Sequence, residues 1–145
     1  MTVHREATVV SKTRLTEIID YCKEFSTVHQ VIFPIHPNTR QKIIEHSINV
    51  QGITLIDPVS YLEMQGLLTH AELVLTDSGG LQKEAYFHGC SCITLRDETE
   101  WVETISAGWN QLWKAPSTKI TPKMHINEYG EGKTCQKIFK ALNFK

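Results

Sequence analysis

The chain has 145 residues, 41% of them apolar and 21% charged, with a formal net charge of −1. That length suffices for one domain burying about 70% of its unfolded surface, and the near-neutral charge gives no reason to expect nucleic acid or a membrane surface as partner. No apolar run approaches the ~18 residues of a membrane span, and Met1-Thr2-Val3-His4-Arg5-Glu6 lacks the apolar stretch of a signal peptide, so a cytoplasmic location is expected.

In chain order, two periods alternate. Only Thr2 and Val3 read as strand before the polar His4-Arg5-Glu6, where about five or six residues are usual; the chain is expected to begin inside an element. Leu15, Ile18, Ile19, Tyr21, Cys22 and Phe25 recur at helical spacing, and residues 28–34 read as a strand. Asn38 is expected to cap a helix over 39–46, followed by a strand over 53–56. After Pro58 come a helix carrying Tyr61, Leu62, Met64, Leu67 and Leu68, and then a strand over 72–76. A helix over 81–88 ends at Gly89, a residue suited to the position after a helix. Residues 90–95 read as a strand and 99–107 as a short helix closed by Gly108. Residues 115–123, with Pro116 and Pro122, read as a surface connection. It leads through Tyr129-Gly130-Glu131-Gly132-Lys133 to a last helix over 134–142, striped by Cys135, Ile138, Phe139 and Leu142. Short alternating strand and helix units predict an α/β fold, one domain over 1–145, with a parallel sheet and helices on both faces. Of the four cysteines, none forms a Cys-x-x-Cys pair, and Cys90-x-Cys92 has strand spacing. Free, mostly buried thiols are expected rather than a disulfide frame.

The chemistry centres on Leu73-Val74-Leu75-Thr76-Asp77-Ser78-Gly79-Gly80-Leu81-Gln82-Lys83-Glu84. An apolar strand runs into a glycine turn that opens a helix. Unpaired N–H groups and the positive helix end converge at such a turn, which suits an anion. Ser78 can cap the helix and donate to a phosphate oxygen, while Gly79 and Gly80 permit close approach. A bare Ser-Gly-Gly is more often an ordinary turn. Glu84 changes that balance: it lies one turn beyond Gly80 on the same face, where a carboxylate can accept from a ribose. Phosphate donors followed by a diol acceptor point to a nucleotide.

Other polar clusters follow the strands. His4-Arg5, His36, Asp77-Ser78 and Arg96-Asp97-Glu98-Thr99-Glu100 all collect at the carboxyl edge if the sheet is parallel. His29, His46, His70 and His88 are expected on the surface or in packing, and Trp101, Trp109 and Trp113 as core or interface anchors. No His/Cys spacing suggests zinc, and there is no Gly-x-Ser-x-Gly elbow, no Gly-x-Gly-x-x-Gly and no Walker A sequence.

Six segments occur in an order that resembles a known family: Thr2-Val3-His4-Arg5; Phe33-Pro34-Ile35-His36-Pro37; Leu75 through the Asp77-Ser78-Gly79-Gly80 turn to Ala85; Leu95-Arg96-Asp97-Glu98-Thr99-Glu100-Trp101; Ala107-Gly108; and Tyr129-Gly130-Glu131-Gly132-Lys133. Together they are similar to the C-terminal half of the non-hydrolysing UDP-N-acetylglucosamine 2-epimerases. Trp101 and Gly108-Trp109-Asn110 most resemble the branch acting on UDP-diacetamido-glucuronic acid sugars. The resemblance implies a Rossmann-like domain, one half of a two-domain GT-B-type fold. It implies UDP or a UDP-N-acetylhexosamine as ligand, with Ser78, Gly79 and Gly80 on the diphosphate, Glu84 on the ribose and Arg96 fixing the nucleotide side. His4 matches a histidine at the reacting centre, and Arg5, His36, Asp77, Gln82 and Glu100 fall at the substrate cleft. The implied reaction eliminates UDP to a glycal and adds it back after the C2 proton returns on the other face, with neither nicotinamide nor metal.

The family's lysine and carboxylates that handle the C2 proton belong to its other half, so the isolated chain is expected to lack epimerase activity. Where members continue His-Arg-x-Glu-Asn, this chain has His4-Arg5-Glu6-Ala7-Thr8. The connection at 115–123 stands where members carry a longer helical segment. A homodimer or a separate N-terminal half are the protein partners this reading expects. Two alternatives stay open: the nucleotide-binding half of a GT-B glycosyltransferase, and a non-enzymatic association domain.

Overall fold

The computed structural model of the chain describes residues 1–115 and 122–142. Five short strands carry the sheet: β1 (Val31–Pro34), β2 (Ile53–Ile56), β3 (Leu73–Thr76), β4 (Ser91–Thr94) and β5 (Asn110–Leu112). β1 pairs with β2, β3 with β4, and β4 with β5, all parallel. The N-terminal residues join the two sets. Thr2 forms a parallel bridge to Thr76, its N–H donates to the Leu75 carbonyl at 2.9 Å, and the Met1 nitrogen donates to the Ile32 carbonyl. Counting that segment as the first strand, the order is 3-2-1-4-5-6, the doubly wound Rossmann arrangement. The short polar opening of the chain thus occupies the centre of the sheet, beside the point where the order reverses.

Among the described residues there are seven α-helices: α1 (Glu6–Val9), α2 (Lys12–Phe25), α3 (Pro37–Glu45), α4 (Tyr61–His70), α5 (Gly79–Phe87), α6 (Val102–Ser106) and α7 (Thr134–Ala141). Neighbouring strand residues serve opposite faces, as the period of two requires. Leu75 and Ile93 point into a layer with Leu15, Ile18 and Ile19 of α2 and Phe33 of β1. Val74 and Cys92 point the other way, to Leu68 of α4 and Leu81 and Ala85 of α5. Each of the Leu, Ile, Val and Phe side chains among these contributes about 1.5–3 kcal/mol when fully buried. Helices on both faces of a parallel sheet are what the alternating periods predict.

The differences from the sequence reading are local. The cap of α3 is His36, whose Nδ1 accepts from the Asn38 N–H at 3.2 Å, so Asn38 lies inside the helix that Pro37 opens. The α5 helix starts at Gly79, two residues before the expected start, because Ser78 caps it and the glycines form its first turn. The predicted helix over 99–107 contracts to α6, with Gly108 at φ 76° just beyond. Three elements lacked a sequence signal: α1, a single turn; β5, whose Asn110 and Gln111 carry no apolar period; and a 3-10 turn over Asn127–Tyr129. The connection at 115–123 lies mostly outside the described residues. Cys22, Cys90 and Cys92 are buried free thiols, while Cys135 is exposed. Among the described residues, no helix is long and apolar enough to cross a membrane.

Candidate functional site

The parallel sheet brings His4, Arg5, His36, Asp77, Ser78 and the loop carrying Arg96 and Glu100 to one edge, each just past the end of its strand. The order reverses between the N-terminal segment and β3, opening the crevice in which doubly wound sheets hold ligands. His4 and Arg5 line one side of that crevice, and the start of α5 the other.

Asp77 builds the crevice rather than lining it. Its side chain is 0% exposed. Oδ2 accepts from the backbone N–H groups of His4 at 3.0 Å and Arg5 at 2.9 Å. A carboxylate taking two main-chain donors ties the first loop to the end of β3, and losing it would leave both donors without an acceptor. Of the His4 side chain, Nδ1 lies 3.4 Å from Asp77 Oδ1 and the rest of the ring is half-exposed. Asp77, expected at the cleft, therefore stands beneath it and sets the direction of His4.

The turn after Asp77 sorts its donors. The Ser78 N–H is spent on Thr76 Oγ1 at 2.9 Å, and Thr76 Oγ1 shares a proton with Thr2 Oγ1 at 2.6 Å. Ser78 Oγ accepts from the Leu81 N–H at 3.4 Å as the helix cap, which leaves its hydroxyl proton to give. The Asp77 N–H goes to the Thr2 carbonyl and the Gln82 N–H to the Ser78 carbonyl. The N–H groups of Gly79 and Gly80 donate to no group among the described residues. Two free amides and one free hydroxyl therefore converge at the positive end of a nine-residue helix.

A carboxylate already stands over them. A Cβ at Gly79 would sit 2.2 Å from Glu100 Oε1, so the carboxylate can stand this close only while the position is glycine, and any larger residue would push it aside. Arg96 Nη1 donates to Glu100 Oε2 at 2.7 Å, and Arg5 Nη2 lies 3.5 Å from Oε1. Its own backbone N–H, and after it the Arg96 guanidinium, hold the Glu100 carboxyl below the ordinary carboxylate range. Two guanidiniums and a helix end thus surround one resident negative group, the surroundings that a diphosphate requires. Trp101 closes the turn, its Nε1–H donating to the Gly79 carbonyl at 2.8 Å, with Lys83 Nζ 3.7 Å from the ring centroid.

The remaining predicted residues separate. Glu84 is half-buried one turn along α5, and its Oε2 accepts from Gln65 Nε2 at 2.9 Å. His36 is exposed at the same sheet edge, across the N-terminal segment from Asp77. Gln82 is 1% exposed and lies behind the turn instead of on the cleft. Its Oε1 accepts from Thr99 Oγ1 at 2.6 Å and Asn110 Nδ2 at 3.2 Å, while its Nε2 finds no partner among the described residues. Asn110 continues this buried network to Thr94 and Thr104. The network positions the Thr99–Glu100 loop against α5, and sequence reasoning missed it because isolated Thr and Asn residues carry no periodic signal.

The chain matches the family model described as UDP-N-acetylglucosamine 2-epimerase over residues 1–143. It is 46% identical over 136 residues to the UDP-2,3-diacetamido-2,3-dideoxy-D-glucuronate 2-epimerase of Pseudomonas aeruginosa, covering 93% of this chain and 37% of that protein. It is 40% identical over 155 residues to a UDP-N-acetylglucosamine 2-epimerase homolog of Methanococcus maripaludis, covering 97% and 43%. Among solved structures, the UDP-GlcNAc 2-epimerase of Methanocaldococcus jannaschii in complex with UDP-GlcNAc and UDP superposes with a TM-score of 0.82 at 36% identity, covering 99% of this chain and 44% of that one. The chain spans less than half the length of these relatives. The Pseudomonas match agrees with the branch suggested by Trp101 and Gly108-Trp109-Asn110. A match across nearly every residue, with the fold in common, means that the chain belongs to the UDP-N-acetylglucosamine 2-epimerase family.

Proposed function

We propose that the chain binds the diphosphate and ribose of a UDP-N-acetylhexosamine and serves as the nucleotide-holding part of a UDP-sugar 2-epimerase. One observation carries this reading: in a member of that family, the N–H groups of Gly79 and Gly80 are free at the start of α5, one turn from the carboxylate of Glu84. Gly79, Gly80 and the Ser78 hydroxyl take the diphosphate, with Arg5 and Arg96 turning to it from Glu100. Glu84 takes the ribose hydroxyls. In the elimination, negative charge grows on the departing diphosphate as the C1–O bond breaks. Donors already aimed there stabilise that charge without reorganisation. His4, oriented by Asp77, faces the reacting sugar, and His36 and Glu100 border it. The reading carries with it a cytoplasmic location, and no epimerisation by these 145 residues alone.

Isothermal titration with UDP and with UDP-N-acetylglucosamine tests the reading. The expected result is saturable binding that Gly79→Ala weakens, with no UDP-N-acetylmannosamine formed. Absence of binding by either ligand overturns the nucleotide reading, and C2 epimerisation by the purified chain overturns the inactivity. Transfer of the sugar to an added acceptor would instead favour the glycosyltransferase alternative. A second reading, association with another copy or with a separate N-terminal half, draws on the exposed Ile138 of α7 and Leu142 just after it. Sedimentation that depends on concentration would favour it.

A further inference from the structure

Glu84 does not stand alone. Gln65 of α4 donates from Nε2 to Glu84 Oε2 at 2.9 Å, and its Oε1 lies 2.6 Å from His88 Nε2 at the end of α5. His88 Nδ1 lies 3.3 Å from Thr69 Oγ1, and the Thr69 hydroxyl donates to the Gln65 carbonyl at 2.9 Å. Proton bookkeeping fixes the direction of this chain. An ionised carboxylate only accepts, so Gln65 must turn its NH2 toward Glu84. Its Oε1 then faces His88, whose Nε2 must carry a proton. The Thr69 proton is already spent on the Gln65 carbonyl, so Oγ1 can only accept from Nδ1. The Nε2–H tautomer therefore keeps the link to Gln65, and the doubly protonated ring satisfies the Thr69 contact as well.

We propose that Gln65 and His88 are positioning residues that hold the Glu84 carboxylate in the orientation that receives the ribose diol. The proposal rests on the reading of Glu84 as the ribose acceptor. A free Glu on a helix surface samples many rotamers, and fixing it in advance removes that entropic cost from binding. Gln65 holds only Oε2. Glu84 Oε1 has no partner among the described residues and is left to accept hydroxyls. A neutral amide also holds the carboxylate without pairing its charge, so its acceptor strength is kept. Neither residue belongs to the segments that carry the family resemblance, and His88 was expected only on the surface or in packing.

The test compares UDP with 2′,3′-dideoxyuridine diphosphate by isothermal titration in the wild-type chain and in Gln65→Met, His88→Ala and Glu84→Gln, with thermal melts confirming that each variant is folded. The wild type is expected to prefer UDP by about tenfold or more, the scale of one or two hydrogen bonds to a charged group. Gln65→Met, similar in shape but without polar atoms, is expected to cut that preference to about twofold by weakening UDP alone. His88→Ala falls between, and His88→Gln, which restores a donor, recovers part of it. A merely structural role would weaken both nucleotides equally, so equal weakening or an undiminished preference in Gln65→Met overturns the proposal and leaves the UDP site standing. A wild type that binds both ligands alike removes the ribose role of Glu84 and the proposal with it. A wild type that binds neither overturns the nucleotide reading as a whole.

Discussion

Helices α5 and α7 have nearly the same length, nine and eight residues, and both carry apolar residues at helical spacing. α5 buries Gly79, Leu81, Gln82 and Ala85 against β3 and β4, while no residue of α7 is buried. Ile138 and Phe139 on α7 and Leu142 just after it are 50 to 62% exposed. The stripe on α7 is the sharper of the two, yet the weaker one holds the site. Most helical stability in proteins comes from tertiary packing of an apolar face, not from local pattern. α5 is fixed because a strand feeds it, Ser78 caps it, the Trp101 indole holds its first carbonyl and the α4 helix lies along its side. Free N–H groups bind an anion strongly only where the backbone that presents them is held in place, as it is at α5.

Thiol labelling gives the largest contrast. Burial pushes the thiols of Cys22 and of Cys92, which packs under α5, up to about 12. Cys135 on α7 is exposed. Iodoacetamide followed by mass spectrometry is expected to label Cys135 at least about a hundredfold faster than Cys92, since a buried thiol must first be uncovered and ionised. Comparable rates would mean that the layer beneath α5 opens as freely as α7. The same shifts set a pH dependence. The two thiols ionise near 9.0 in the unfolded chain and near 12 in the folded one. The unfolded state loses protons first, so stability is complete below about pH 9 and falls as pH rises toward 12. Urea midpoints at pH 7.5 and 10 measure this.

Truncation comes next. Leu81→Ala is expected to cost about 2–4 kcal/mol in urea unfolding and Ile138→Ala less than about 0.5. Equal costs would show that α7 is packed as tightly as α5. Asp77→Ala tests the brace upstream of α5. It strips the acceptor from the His4 and Arg5 N–H groups, an expected loss of about 1–3 kcal/mol; an unchanged midpoint would mean that the first loop is held by something else. Gly79→Ala is expected to cost less than about 1 kcal/mol of stability, because the new methyl meets the flexible end of Glu100. Shielding the free amides is nevertheless expected to weaken pyrophosphate and UDP about tenfold, or 1.4 kcal/mol. Full affinity in this variant would move the anion site away from α5.

Much of the fold could be read directly. The strands β1 to β4 and the helices α2 to α5 follow from apolar period, and short parallel units leave few topologies open. The collection of His4, His36, Ser78 and Arg96 at one edge followed from that alternation, before any side chain was placed. What escaped reading had no local signature. β5 begins Asn110-Gln111 and is a strand because Cys92 and Ile93 pair with it. Gln82 has the composition of a cleft residue, yet Thr99 and Asn110 draw it inward. Asp77 has the composition of a catalytic acid, yet two backbone donors from a loop more than 70 residues earlier occupy it. The role of Gln65 was invisible for the same reason, since it arises only where α4 meets α5.

By itself, the order of residues settled the alternation of strands and helices, the glycine turn after β3 and the family to which the chain is similar, because these depend on period and on backbone freedom within a few positions. Tertiary structure alone decided which polar groups are spent and which are left to act. That division rests on contacts between distant segments: Asp77 with the His4–Arg5 loop, Glu100 over Gly79, and Gln65 beside Glu84. A hydrogen bond satisfied within the fold cannot also hold a ligand, and no local pattern records which bonds those are.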